Sequence, residues 1–71
     1  MSKELGTIIC STEDNGHILK SKLFICSFYG GVIRGSCVQL TLDNYMHYIQ
    51  LNKKEVKELV ETLNKFIDEW V

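Results

Sequence analysis

The feature that most limits the fold lies at the C-terminal end, where an apolar strand runs straight into a capped amphipathic helix. Tyr48-Ile49-Gln50-Leu51 has the aromatic and β-branched content of a strand. Asn52 follows as a helix N-cap with Glu55 three residues later, the spacing of a capping box. Val56, Leu59, Val60, Leu63, Phe66, Ile67 and Trp70 then recur at helical spacing, which predicts a helix over about 53–70 with one apolar stripe. That stripe needs a surface to pack on, and everything before it reads as β-sheet.

Turn signals divide the upstream chain. Asn15-Gly16 is a strong hairpin signal, because a type I′ turn needs positive φ at both central residues. Gly30-Gly31 is a second candidate turn and Asp43-Asn44 a third. The β-rich stretches between them are about 5–11, 18–29, 32–42 and 45–51, with Gly35 inside the third as a bulge or sharp coil. Strands joined by tight turns are antiparallel neighbours. The expected architecture is therefore α+β: a single domain over 1–71, a four-stranded antiparallel meander with one C-terminal helix folded across one face (ββββα).

Period-two alternation sorts the strand faces. Leu19, Leu23 and Ile25 share a face, as do Val38, Leu40 and Leu42, and Ile49 and Leu51 join them with Tyr45 and His47. Ile18, Phe24, Cys26 and Phe28 lie opposite, with Cys37, Gln39, Thr41 and Tyr48. One helix cannot cover both faces. Either the Phe24, Phe28 and Tyr48 side is an association surface or the strand register differs from this pairing; association would enlarge a thin core, so a homodimer is expected.

Composition narrows the function classes. A 71-residue chain with 45% hydrophobic residues and a net charge of −1 is a globular domain with a thin core. It has neither a basic tail nor an apolar run of membrane-spanning length. The N-terminus lacks a signal-peptide core, so a cytoplasmic location is expected, with no membrane partner. Cys10, Cys26 and Cys37 are odd in number and widely spaced, which fits buried free thiols. With His17 and His47 they form no C-x-x-C or H-x-x-x-H pair, so no metal and no cofactor are expected. The absence of Ala and Pro, and seven Lys against the single Arg34, mark the coding bias of an AT-rich genome such as a low-GC bacterium or its phages.

No cysteine lies near the helix N-terminus in sequence, where the helix dipole would activate it, and Glu13 and Asp14 sit beside a hairpin tip, so the chain reads as a non-enzyme. Lys53 and Lys54 occupy the first helical turn, where the helix dipole disfavours cations and an anionic ligand would suit them. The candidate binding residues are Lys20, Lys22, Phe24, Phe28, Tyr29, Arg34 and Tyr48, the basic and aromatic side chains of the strands.

Residues 30 to about 67, with Gly35-Ser36-Cys37-Val38-Gln39-Leu40-Thr41 and Tyr48-Ile49-Gln50-Leu51 at their centre, resemble small uncharacterised proteins of low-GC bacterial phages and prophages. Residues 48 to about 64 are also similar to the positive-cofactor-four-like family of dimeric single-strand DNA binders, whose last strand enters a C-terminal helix in the same way. The leading expectation is a non-catalytic, phage-encoded binding protein that regulates or inhibits a host macromolecule, such as a defence or transcription component, through its exposed sheet face or hairpin tips, with a host protein as partner. The second resemblance implies a dimer that binds single-stranded nucleic acid on its strands. A small-molecule sequestering protein with its site at the dimer seam is a further expectation.

Overall fold

The computed structural model describes residues 2–43 and 47–69. The strands are β1 (Lys3–Asp14), β2 (His17–Tyr29), β3 (Ser36–Leu42) and β4 (Tyr48–Asn52), followed by the helix α1 (Lys53–Glu69). They form one antiparallel sheet in the order β1-β2-β3-β4, the meander expected from the turns. Asp43-Asn44, the start of the fourth stretch at Tyr45, the face of Tyr45 and the end of the stripe at Trp70 lie wholly or partly outside the described residues.

Local chemistry accounts for the elements. Asn15 and Gly16 take φ values of 50° and 81°, and Asp14 pairs with His17 around them, so the chain reverses in two residues. At the other end β4 passes into α1 with no linker. The Glu55 amide donates to Asn52 Oδ1 and the Asn52 amide donates to Glu55 Oε1, both at 2.9 Å, which is a complete capping box. Leu51 before the cap and Val56 after it are both half-buried, in the positions of a hydrophobic staple.

Two expected details differ. Val32 and Ile33 are not in a strand. They stand 93% and 99% exposed in a loop over residues 30–35, closed by hydrogen bonds from the Gly30 amide to the Gly35 carbonyl and from the Gly35 amide to the Gly31 carbonyl. Gly31 and Gly35 have φ of 99° and 68°, so Gly35 ends this loop instead of bulging a strand. The register break is in β1, where Leu5 steps out between Glu4 and Gly6.

The register defines two faces. On one, Ile8, Leu23 and Leu42 form a row, as do Ile25, Leu40 and Ile49, and then Ser27, Val38 and Leu51. Val56 lines a pocket of about 230 Å³ with Ser27, Ser36 and Val38, which puts α1 on this apolar face at its Ser27–Leu51 end. Only the first turns of α1 meet the sheet. Val56 and Leu59 are half-buried, whereas Val60, Leu63, Phe66 and Ile67 are between 49% and 63% exposed. The helix does not cross the face: it leaves β4 at one corner, where Leu51 and Val56 are half-buried. This reverses the sequence expectation about coverage: the apolar, helix-bearing face is the open one. Among the described residues the two buried ones, Cys37 at 3% and Thr41 at 7%, belong to the opposite face.

Candidate functional site

That opposite, reverse face is built of three short rows. Phe24, Thr41 and Tyr48 are cross-strand neighbours, as are Cys26, Gln39 and Gln50, and Phe28, Cys37 and Asn52. Thr41 is buried because an aromatic residue flanks it on each neighbouring strand. Cys37 is buried because the 30–35 loop turns back over it: a Cβ on Gly30 would stand 2.7 Å from Cys37 Sγ. Gly30 is required there by close approach, and a larger residue would push the loop off the sheet.

The same loop sets Arg34. Its guanidinium sits over the Phe28 ring, 5.6 Å from the centroid, in cation–π geometry. Nε donates to the Gly30 carbonyl at 3.2 Å and Nη1 donates to Gln50 Oε1 at 2.9 Å. Gln50 Nε2 donates to Gln39 Oε1 at 3.0 Å, and Gln39 Nε2 donates to Thr41 Oγ1 at 2.9 Å. A polar ladder thus runs from Arg34 across β4 and β3 between the aromatic rows. These bonds use two of the five guanidinium N–H donors, and the residue is exposed, so the group has capacity left for a further acceptor.

Beyond Leu42 the sheet narrows to the β1–β2 ribbon, and Lys20 and Lys22 extend the reverse face along it. The Lys22 amide, which has passed the end of β3, donates instead to Asp43 Oδ2 at 3.2 Å. Lys20, Lys22, Phe24 and Phe28 therefore lie on one side of β2, a line of about 26 Å at strand rise, with Arg34 over its end. Glu4 and Glu13 share this side from the edge strand β1.

Six of the seven residues anticipated from sequence, Lys20, Lys22, Phe24, Phe28, Arg34 and Tyr48, are thus gathered on the reverse face. Tyr29 is not. It pairs with Ser36, carries the parity of the apolar face and is 65% exposed at the strand end. Gln39, Thr41 and Gln50 were not among the anticipated residues. Their signal was present, since each alternates with Val38, Leu40, Ile49 or Leu51 and must point away from the apolar face. Lys53 and Lys54 are exposed in the first turn of α1. Cys10 faces the apolar side and Cys26 and Cys37 the reverse side; no cluster of three metal-ligating side chains occurs among the described residues.

The second concave feature is on the apolar face, a groove of about 460 Å³ lined by Leu23, Leu40, Leu42, His47, Tyr48 and Ile49. Among the described residues, no helix is long and apolar enough to cross a membrane. Comparison with protein-family models, curated proteins and solved structures found no match to this chain.

Proposed function

We propose that the chain is a non-catalytic binding protein, working as a homodimer, whose reverse face takes single-stranded nucleic acid. The observation that carries this reading is the alignment of Lys20, Lys22, Phe24, Phe28 and Arg34 on one side of β2, with Tyr48 and the Gln39–Gln50 ladder beside them. A single strand needs cations that track its phosphates and flat rings that stack its bases. Here both come from one face, and Arg34 combines a charge with a stacked plane.

The test is fluorescence anisotropy with a labelled single-stranded oligonucleotide over a salt series. Binding should weaken as salt rises, with a logarithmic slope of about 0.7 for each phosphate contact. Replacing Lys20, Lys22 and Arg34 together by Ala should remove about two units of that slope. Absence of binding at low salt would refute the reading.

A second reading, a regulator or inhibitor of a host protein, is favoured by a different observation. Ile9 and Ile18 stand exposed on the same face, and the net charge is −1. In that case Phe24→Ser or Phe28→Ser abolishes retention of the partner, with no dependence on Lys20 or Lys22.

A further inference from the structure

A single copy of this chain is not a finished globule. It exposes 6229 Å² at a mass of 8.2 kDa, whereas a compact monomer of that mass exposes about 4,500 Å². Its radius of gyration is 14.4 Å, against about 11 Å for a compact chain of this length. The shortest of its extents, 46 × 31 × 17 Å, leaves room for little more than one layer and part of a second. The surplus surface, about 1,700 Å² by the same scaling, matches what each partner buries in a large obligate interface.

The surplus is localised. The three rows of the apolar face have the composition of a core, yet α1 lies against the Ser27–Leu51 end of that face, where Val56 shares a pocket with Ser27, Ser36 and Val38. The groove at Leu23, Leu40, Leu42 and Ile49 stays open, and so does the stripe at Val60, Leu63 and Ile67. One surface is an apolar trough without a helix, and the other is an apolar helical stripe without a sheet. Both belong to the same chain, so a two-fold axis satisfies both at once.

Resting on the homodimer reading above, we propose that the two copies meet through their apolar faces, the distal half of each α1 lying in the partner's Leu23–Ile49 groove. The occupant is a second copy because the missing area and the missing cover are each supplied by what the chain itself leaves open. The arrangement turns both reverse faces outward, on opposite sides of the assembly.

Light scattering of the full chain should give twice the mass of one copy. Leu63→Glu and Ile67→Glu fall at positions 51% and 63% exposed in one copy, so a monomer would tolerate them. In the proposed seam they set an unpaired charge among apolar side chains and should raise the dissociation constant about 100-fold or more. Ile33→Glu, in the exposed loop, should leave it unchanged. If the helix variants fail to fold, isotope-filtered NMR on a mixture of labelled and unlabelled wild type replaces them. Methyls of Leu63 and Ile67 should then show contacts to Leu40, Leu42 and Ile49 of the other copy.

A wild-type monomer overturns this inference and the homodimer with it, while leaving oligonucleotide binding to its own assay. A dimer with intermolecular contacts at Phe24 and Phe28, or only along β1, overturns the seam and keeps the homodimer. A monomer that releases a small apolar molecule on denaturation assigns the groove to that ligand and also overturns the seam.

Discussion

Replacing Asn52 by Ala tests how the helix is joined to the sheet. Asn52 is both the last residue of β4, paired with Cys37, and the N-cap of α1. The substitution deletes one 2.9 Å hydrogen bond, from the Glu55 amide to Asn52 Oδ1, and leaves the return bond to Glu55 Oε1. The helix start is exposed, so the freed amide turns to water and no buried-donor penalty is added. The loss should be that of an ordinary cap, about 1 kcal/mol, or about 4–8 °C in melting temperature for a domain of this size. Asn52→Ser trims the side chain to nearly the same extent but keeps the acceptor, and should fall within a few tenths of a kcal/mol of wild type. Far-UV circular dichroism melts, all at one protein concentration because association shifts the midpoint, give the comparison. If Ala and Ser lose the same amount, the side chain acts by packing and the capping argument fails.

Four other substitutions, one of them a control, probe separate features. Gly30→Ala drives a methyl against Cys37 Sγ, 2.7 Å away, and should cost about 1–3 kcal/mol as overpacking; Gly6→Ala, with open space around it, should be neutral or slightly stabilising in the same melts. Gly16→Ala, at φ 81° in the hairpin turn, should cost about 1–2 kcal/mol from backbone strain alone. Gln50→Ala breaks the ladder between Arg34 and Gln39; thermal stability should drop by under about 1 kcal/mol, since the group is exposed, while oligonucleotide affinity measured by anisotropy falls more than stability does.

The parts of the fold that could be read from sequence are those with a local steric cause. Asn15-Gly16 reverses the chain because few other residues accept its φ values, and Asn52 with Glu55 caps α1 because their spacing lets each reach the other's amide. The faces of β2, β3 and β4 followed from alternation alone. Val32 and Ile33 misled because β propensity describes side chains packed on a pleated surface, and these two pack on nothing. The coverage of the sheet was illegible for a related reason. The stripe from Val56 to Ile67 is a property of the helix, but the angle at which α1 leaves β4 is set by the tertiary corner at Leu51 and Val56. The binding residues could be gathered by type from sequence. Alternation already put Phe24, Phe28, Gln39, Thr41 and Tyr48 on one side and Tyr29 on the other; what it could not show is that the 30–35 loop lays Arg34 over Phe28 and joins it to Gln50.

The outer edge of β1 has a consequence of its own. Twelve residues, Lys3–Asp14, offer half their amides and carbonyls to no neighbouring strand. Any extended peptide can zip onto such a margin, which makes it the molecule's chief aggregation hazard whenever copies crowd. The displaced Leu5 interrupts that margin near its beginning, throwing the following residues out of step with a straight newcomer. Closing the bulge, by deleting Leu5, would lengthen the uninterrupted template and should make the protein visibly more prone to form fibres.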